Sequence, residues 1–304
     1  MNYVLSTSNL VKQYKSQKAV DDVSLHVEKG QIYGFIGRNG AGKTTFLKMV
    51  SGLAEPTAGE ISLFGLSGGE RKKMYPRIGT LIEQPGLYPR LTAYENLKLK
   101  CMCVGIKRDG YIESLLQTVG LENTGNKKVK AFSQGMKQRL GIAMALVGEP
   151  DLLLLDEPIN GLDPQGMAEV RNIILDLRRD RNMTIMVSSH ILEELSKIAT
   201  AYGIIHQGRL IKEMNSEELA QACGEYIEIK TSSVDLVTPV LDRLGIRKFK
   251  VTDNGTIQIF ERLDESGKIN MELAKNNIEI RSITVINQSI EDYFLNLTGG
   301  AHNV

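Results

Sequence analysis

The chain has 304 residues, 42% of them apolar and 24% charged, with a formal net charge of +1 at pH 7. That length holds one large domain, or one with a small companion, and either buries a real core. Near-zero net charge supplies no global field for nucleic acid, and no apolar run reaches the ~20 residues that span a bilayer. Three cysteines make no disulfide framework, and Cys101 and Cys103 lack partners at metal-site spacing. The first residues, Met1-Asn2-Tyr3-Val4-Leu5-Ser6, show neither a charged n-region nor a long apolar run, so a cytosolic protein is expected. The basic clusters Arg71-Lys72-Lys73, Lys127-Lys128 and Arg178-Arg179 are short and read as solvated faces.

An extended segment opens the chain and runs through Val23-Ser24-Leu25-His26-Val27. Ile32 to Ile36 reads as a buried strand, and Thr45 to Val50 as the opening of a helix. Between them, Gly37-Arg38-Asn39-Gly40-Ala41-Gly42-Lys43-Thr44 fits the phosphate-binding pattern G-x-x-x-x-G-K-[ST] without a mismatch. Its glycines let backbone N–H groups crowd around phosphate oxygens. Lys43 has the reach for β- and γ-phosphates, and Thr44 offers a hydroxyl to Mg²⁺. The following helix N-terminus adds a positive dipole end. The chain is therefore expected to bind a nucleoside triphosphate, with Mg²⁺.

A strand is predicted at Ile78-Gly79-Thr80-Leu81-Ile82. From Leu91 to about Gly120 the apolar spacing turns helical, through Tyr94, Leu97, Leu99, Ile112, Leu115, Leu116 and Val119. With the next helix this makes a helical insert over about 91–150. Ser133 is a good N-cap for that helix, Met136 to Val147, and Gly135 permits close backbone approach, so a second phosphate cradle is possible there. Leu152 to Leu155 form an apolar strand that delivers Asp156 and Glu157 to the mouth of the sheet. Asp156 is a candidate for Mg²⁺, usually through water, and Glu157 for orienting an attacking water. Thr184-Ile185-Met186-Val187-Ser188 is another buried strand. This alternation predicts an α/β core with a mainly parallel sheet over residues 1–220.

Around Asn215 to Gly224 the pattern changes. Strand-like Tyr226 to Lys230, helix-like Val234 to Leu244, strands Phe249 to Thr252 and Thr256 to Phe260 around an Asn254-Gly255 hairpin signal, a helix near Ile269 to Ala274 and a strand at Glu279 to Ile286 follow in turn. This β-α-β-β-α-β order suggests a small α+β, ferredoxin-like module over 221–304. Its acids, such as Asp253, Glu261 and Asp264, read as surface groups rather than metal ligands. Ser289-Ile290-Glu291-Asp292 caps a last amphipathic helix ending at Gly299-Gly300.

Phosphate loop, acidic strand and the segment Phe132-Ser133-Gln134-Gly135-Met136 together resemble the ATP-binding cassette (ABC) ATPases over nearly the whole first 220 residues. The segment is a divergent form of that family's Leu-Ser-Gly-Gly-Gln signature, with Gln134 in place of the first signature glycine. Gly161-Leu162-Asp163 looks like the family's D-loop, His190 like its switch histidine, and Tyr14 sits where an aromatic ring stacks on adenine. The resemblance implies ATP and Mg²⁺ as cofactors. Gly37, Asn39, Gly40, Gly42, Lys43, Thr44, Thr45 and Tyr14 would hold the nucleotide of one copy, while Ser133 and Gly135 of a second copy cover it in a head-to-tail dimer, and Asp163 is a further nucleotide-binding residue. Glu157 and His190 would be catalytic, and Thr44 and Asp156 would face Mg²⁺. The family usually has a glutamine after the strand at 78–82. Aligning Pro85-Gly86-Leu87-Tyr88-Pro89 with the family pattern puts Glu83 there as a third Mg²⁺-side residue, whereas a one-residue shift puts Gln84 there instead.

Glu83, the Phe-Ser-Gln-Gly-Met signature and the run Ser289 to Gly300 are together similar to the bacitracin-resistance and lantibiotic-immunity exporters. This similarity implies a subunit that docks on a separate integral membrane permease at the inner face of the membrane. The docking surface is expected around Glu83 to Tyr88 and the helical insert, and the permease would handle an amphipathic peptide or drug. The alternative is a soluble ABC ATPase acting on ribosomes or DNA. A single cassette, no sustained heptads between Thr45 and Phe132, and near-zero net charge argue against that class and against direct nucleic-acid binding.

Overall fold

The computed structural model describes residues 3–252 and 255–299. Two compact units divide between Ser216 and Glu217, inside the change of pattern seen in the sequence.

The first unit opens on β1 (Tyr3–Tyr14) and β2 (Gln17–Glu28), antiparallel and joined by the tight turn at Lys15 and Ser16. Lys15 takes a φ of 51°, so the hairpin carries no Asn-Gly signal that a sequence reading could use. β4 (Ala58–Leu63) adds to β1, giving a separate three-stranded antiparallel sheet in the order β2-β1-β4. The expected parallel sheet is thus only one of two in this unit.

That main sheet has six strands. They are β3 (Ile32–Ile36), β5 (Ile78–Leu81), β6 (Leu152–Asp156), β7 (Thr184–Ser189), β8 (Ala201–His206) and β9 (Arg209–Asn215), in the order β5-β6-β7-β3-β8-β9. All neighbours are parallel except β8 and β9. Every residue of β3, β6 and β7 is buried, which explains their continuous apolar runs. α1 (Lys43–Val50) follows β3 through the phosphate loop. Its Phe46, Leu47 and Met49 share one core with Leu5, Leu25 and Ile61 of the antiparallel sheet and Phe35 and Leu154 of the main sheet. Each such side chain contributes roughly 1.5–3 kcal/mol on leaving water, so the loop is braced from both sides.

The helical insert holds α2 (Ala93–Cys103), α3 (Tyr111–Thr118) and α4 (Gln134–Leu146), the last starting two residues earlier than expected. Leu97, Leu115, Leu116 and Val119 are buried as their spacing predicts, but Tyr94 and Leu99 are exposed. α2 turns only a narrow stripe inward, so those two fall on its solvent side. α5 (Pro164–Arg181) and the short α6 (Leu192–Ser196) complete the unit. α7 (Ser216–Ala222) begins at the division between the units.

The second unit builds a four-stranded antiparallel sheet from β10 (Gly224–Thr231), β11 (Phe249–Thr252), β12 (Thr256–Ile259) and β13 (Ile280–Gln288), in the order β11-β12-β10-β13. Each β-α-β crossover, through α8 (Val234–Arg243) or α9 (Ser266–Lys275), skips one strand. Ile227, Ile229, Ile257 and Ile259 pack with Val237, Val240 and Leu241 of α8 and Ile269 and Leu273 of α9. α10 (Ile290–Leu297) starts at a capping box made by Ser289 and Asp292. Asp253, Asn254 and Gly300, singled out in the sequence, lie outside the described residues, as do Met1 and Asn2.

Candidate active site

The carboxyl ends of β6, β7 and β3 lie side by side, and the register sets Asp156, Ser188 and Phe35 level with one another. Ser188 therefore stands between the acidic strand end and the phosphate loop. Its hydroxyl donates to Oδ1 of Asp156 at 2.5 Å and accepts from the backbone N–H of Glu157 at 2.9 Å. The Thr44 hydroxyl, at the start of α1, donates to Oδ2 of Asp156 at 2.7 Å. Glu157 takes a left-handed φ of 48°, which turns its side chain back over the loop. Its Oε2 lies 2.7 Å from Nδ1 of His190, and its Oε1 lies 3.0 Å from Nζ of Lys43.

Lys43 is buried, and its ammonium also donates to the carbonyls of Gly37 at 2.6 Å and Arg38 at 3.3 Å. Oε1 of Glu157 is buried and pairs with the Lys43 ammonium at 3.0 Å without hydrogen-bond geometry. A carboxylate oxygen with a charge beside it but no directed donor can accept a hydrogen bond from water. Thr44 and Asp156 offer hard oxygens, the donor set that Mg²⁺ takes alongside phosphate. Gly42 holds a φ of 109°, and a Cβ there would lie 2.3 Å from the carbonyl oxygen of Ala19. Only glycine fits where the loop passes beneath β2.

A cleft of about 440 Å³ opens over this loop. Tyr14, Asn39, Gly40, Gly42, Lys43, Thr44, Thr45 and Glu157 line it, all of them singled out in the sequence. Tyr14 is 49% exposed, with the Lys12 ammonium over its ring at 5.1 Å from the centroid. Gly37 backs the loop, its N–H held by the carbonyl of Ser189. Asp156 and His190 connect to the cleft through Thr44 and Glu157.

Ser133, Gly135 and Asp163 do not line the cleft. Ser133 is exposed and caps α4 by accepting from Met136 N–H at 3.2 Å. Asp163, also exposed, caps α5 through Gly166 N–H at 3.0 Å. A Cβ on Gly135 would meet Gly166 at 3.7 Å, so these two helix starts are neighbours. The chain thus presents two separate constellations, a cleft and a pair of exposed helix N-termini.

Glu83, at a left-handed φ of 62°, turns toward α1 and pairs with Lys48 at 2.5 Å. This bond first of all holds the Lys48 ammonium above its usual titration range. Gln84 turns elsewhere, lining a hollow of about 230 Å³ with Leu53, Leu87 and Met144. Sequence reasoning missed Ser188, which bonds Asp156 and the Glu157 N–H, along with Ala19, Gln207 and Gly208, which close the cleft from β2 and the β8–β9 turn. For Ser188 the only sequence signal was a hydroxyl ending an apolar strand, and its partners depend on strand order.

A doubly wound sheet whose central strand feeds a phosphate loop, with a carboxylate pair on the next strand but one, defines a phosphate-loop nucleotide-hydrolysing domain. Comparison with known proteins makes this specific. The sequence pattern of the ABC transporter family matches residues 20–160. The chain is 43% identical over 302 residues to the bacitracin transport ATP-binding protein BcrA of Bacillus licheniformis, covering 99% of both chains. It is 44% identical over 210 residues to the lantibiotic transport ATP-binding protein SrtF of Streptococcus pyogenes, covering 69% of this chain and 90% of that one. Among solved structures, an ATP-binding subunit of an ABC transporter superposes with a TM-score of 0.62 at 30% identity, over 72% of this chain and 92% of that one. A dimeric post-hydrolysis ATP-binding cassette bound to ADP and Pi superposes with a TM-score of 0.63 at 25% identity, over 70% and 98%. The chain belongs to the ABC transporter ATP-binding proteins and is an ATPase.

Proposed function

We propose that this chain is the energising subunit of an exporter that removes a peptide antibiotic of the bacitracin or lantibiotic kind. The observation that carries this reading is the similarity to a bacitracin transport ATP-binding protein along 99% of both chains, which includes the second unit and not only the cassette. Among the described residues no helix is long and apolar enough to cross a membrane. As an energising subunit the chain works on a separate permease, at the inner face of the membrane. The exposed Leu53, which lines the hollow at Gln84, and Tyr88, next in the chain to its Leu87, suit such docking.

In this reading ATP supplies the phosphoanhydride bond whose cleavage drives the cycle, and Mg²⁺ held at Thr44 and Asp156 would offset the charge of its phosphates. Lys43 and the backbone N–H groups from Asn39 to Thr45 bind the phosphates, and Tyr14 offers its ring to the base. Thr44 and Asp156 hold the cation's side of the cleft, with Ser188 fixing the carboxylate. Glu157 accepts a hydrogen bond from the attacking water through Oε1, while His190 steadies its other oxygen. The exposed N-termini at Ser133 and Asp163 close over the cleft of a second copy. Closure on nucleotide and release after hydrolysis give two states that a permease can follow.

Survival of cells carrying this chain and its co-purifying membrane protein, against a panel of peptide antibiotics, tests the substrate class. Wild type should survive bacitracin or a lantibiotic that kills cells carrying Glu157→Gln. Equal survival across the panel contradicts the reading.

A further inference from the structure

If Glu83 stands on the γ-phosphate side, as the family resemblance implies, its carboxylate brings negative charge there and alone opposes binding. The fold supplies a compensating charge. Lys48 lies one turn beyond Thr44 on α1, and its ammonium meets Glu83 at 2.5 Å. The left-handed backbone at Glu83 aims the side chain at that helix rather than along the loop. Thr44, four residues earlier on the same helix, lines the cleft and donates to Asp156.

We propose that Lys48 is a positioning residue that makes the Lys48–Glu83 pair the electrostatic equivalent of a neutral amide, so that the carboxylate adds no net negative charge on the phosphate side. This rests on the reading of Glu83 as a residue of the γ-phosphate side. Glu83 is 62% exposed, so the pair adds little to folding. A ligand carrying several negative charges feels it far more.

The full-length protein is titrated with a fluorescent ATP analogue, with and without Mg²⁺, at low and high salt. Lys48→Met leaves the carboxylate unpaired and should weaken binding about three- to fivefold at low salt and less at high salt. Glu83→Gln should bind as tightly as wild type or tighter. The double variant Lys48→Met with Glu83→Gln should return to within about twofold of wild type, the mark of a coupled pair. Lys48→Arg should behave as wild type. A double variant as weak as Lys48→Met alone overturns the proposal, because Lys48 then meets the nucleotide directly. A silent Lys48→Met beside a Glu83→Gln that tightens binding overturns the pairing and leaves the placement of Glu83 standing. If neither variant moves binding, the placement of Glu83 fails as well.

Discussion

Glu157 carries two differently furnished oxygens. One is held by His190, and the other has a charge beside it but no directed donor. Glu157→Gln should therefore lower ATPase turnover on the order of 100-fold while nucleotide binding survives, as steady-state kinetics beside a binding titration would reveal. Ser188 touches both acids without lining the cleft. Ser188→Ala should cut turnover roughly tenfold, the usual scale for a partner that orients another ligand, with a smaller change in nucleotide Kd. On the same sheet, the buried Tyr33 phenol donates to Glu213 at 2.6 Å. Burial first, then the Glu213 charge, holds its titration well above the usual 10. A proton bound more tightly in the folded chain contributes stability that is complete below the ordinary phenol range and is lost as pH rises above it. Absorbance titration of tyrosinate should show Tyr33 ionising only with alkaline unfolding, and Tyr33→Phe should move that unfolding to higher pH. A Tyr33 signal titrating before unfolding contradicts this.

Elements were legible where the chemistry is contiguous. Strand β3, the phosphate loop and α1 form one uninterrupted run, as do β6 and its acids, and their bounds follow from buried apolar runs and from a loop only glycine can make. The antiparallel β1–β2 hairpin was read as a single extended segment, because its turn uses Lys15 at positive φ instead of glycine or asparagine. The contacts of Ser188 and Lys48 were illegible for a different reason. They arise from strand order and from one helical turn facing a loop 35 residues away, neither of which leaves a local pattern. Close approach of elements carries its own prediction. Gly79 of β5 faces α4, and a Cβ there would lie 2.2 Å from the carbonyl oxygen of Ala145. Gly79→Ala should push β5 off the helical insert and cost about 1–3 kcal/mol, measurable as a lower denaturant midpoint at unchanged m-value.

For the whole molecule, the decisive fact is that one chain presents a cleft and, elsewhere, two exposed helix N-termini that do not line it. If the working site is shared between copies, lesions in the two halves complement each other. Lys43→Ala disables a copy's own cleft, whereas Ser133→Arg disables only the cleft of its partner. Each variant alone should be inactive as a dimer. The most direct test is the ATPase rate of an equal mixture of the two full-length variants. Random pairing makes half of the dimers mixed, each with one intact site of two, so the mixture should recover about a quarter of wild-type activity. A mixture as inactive as either variant alone would contradict the shared site.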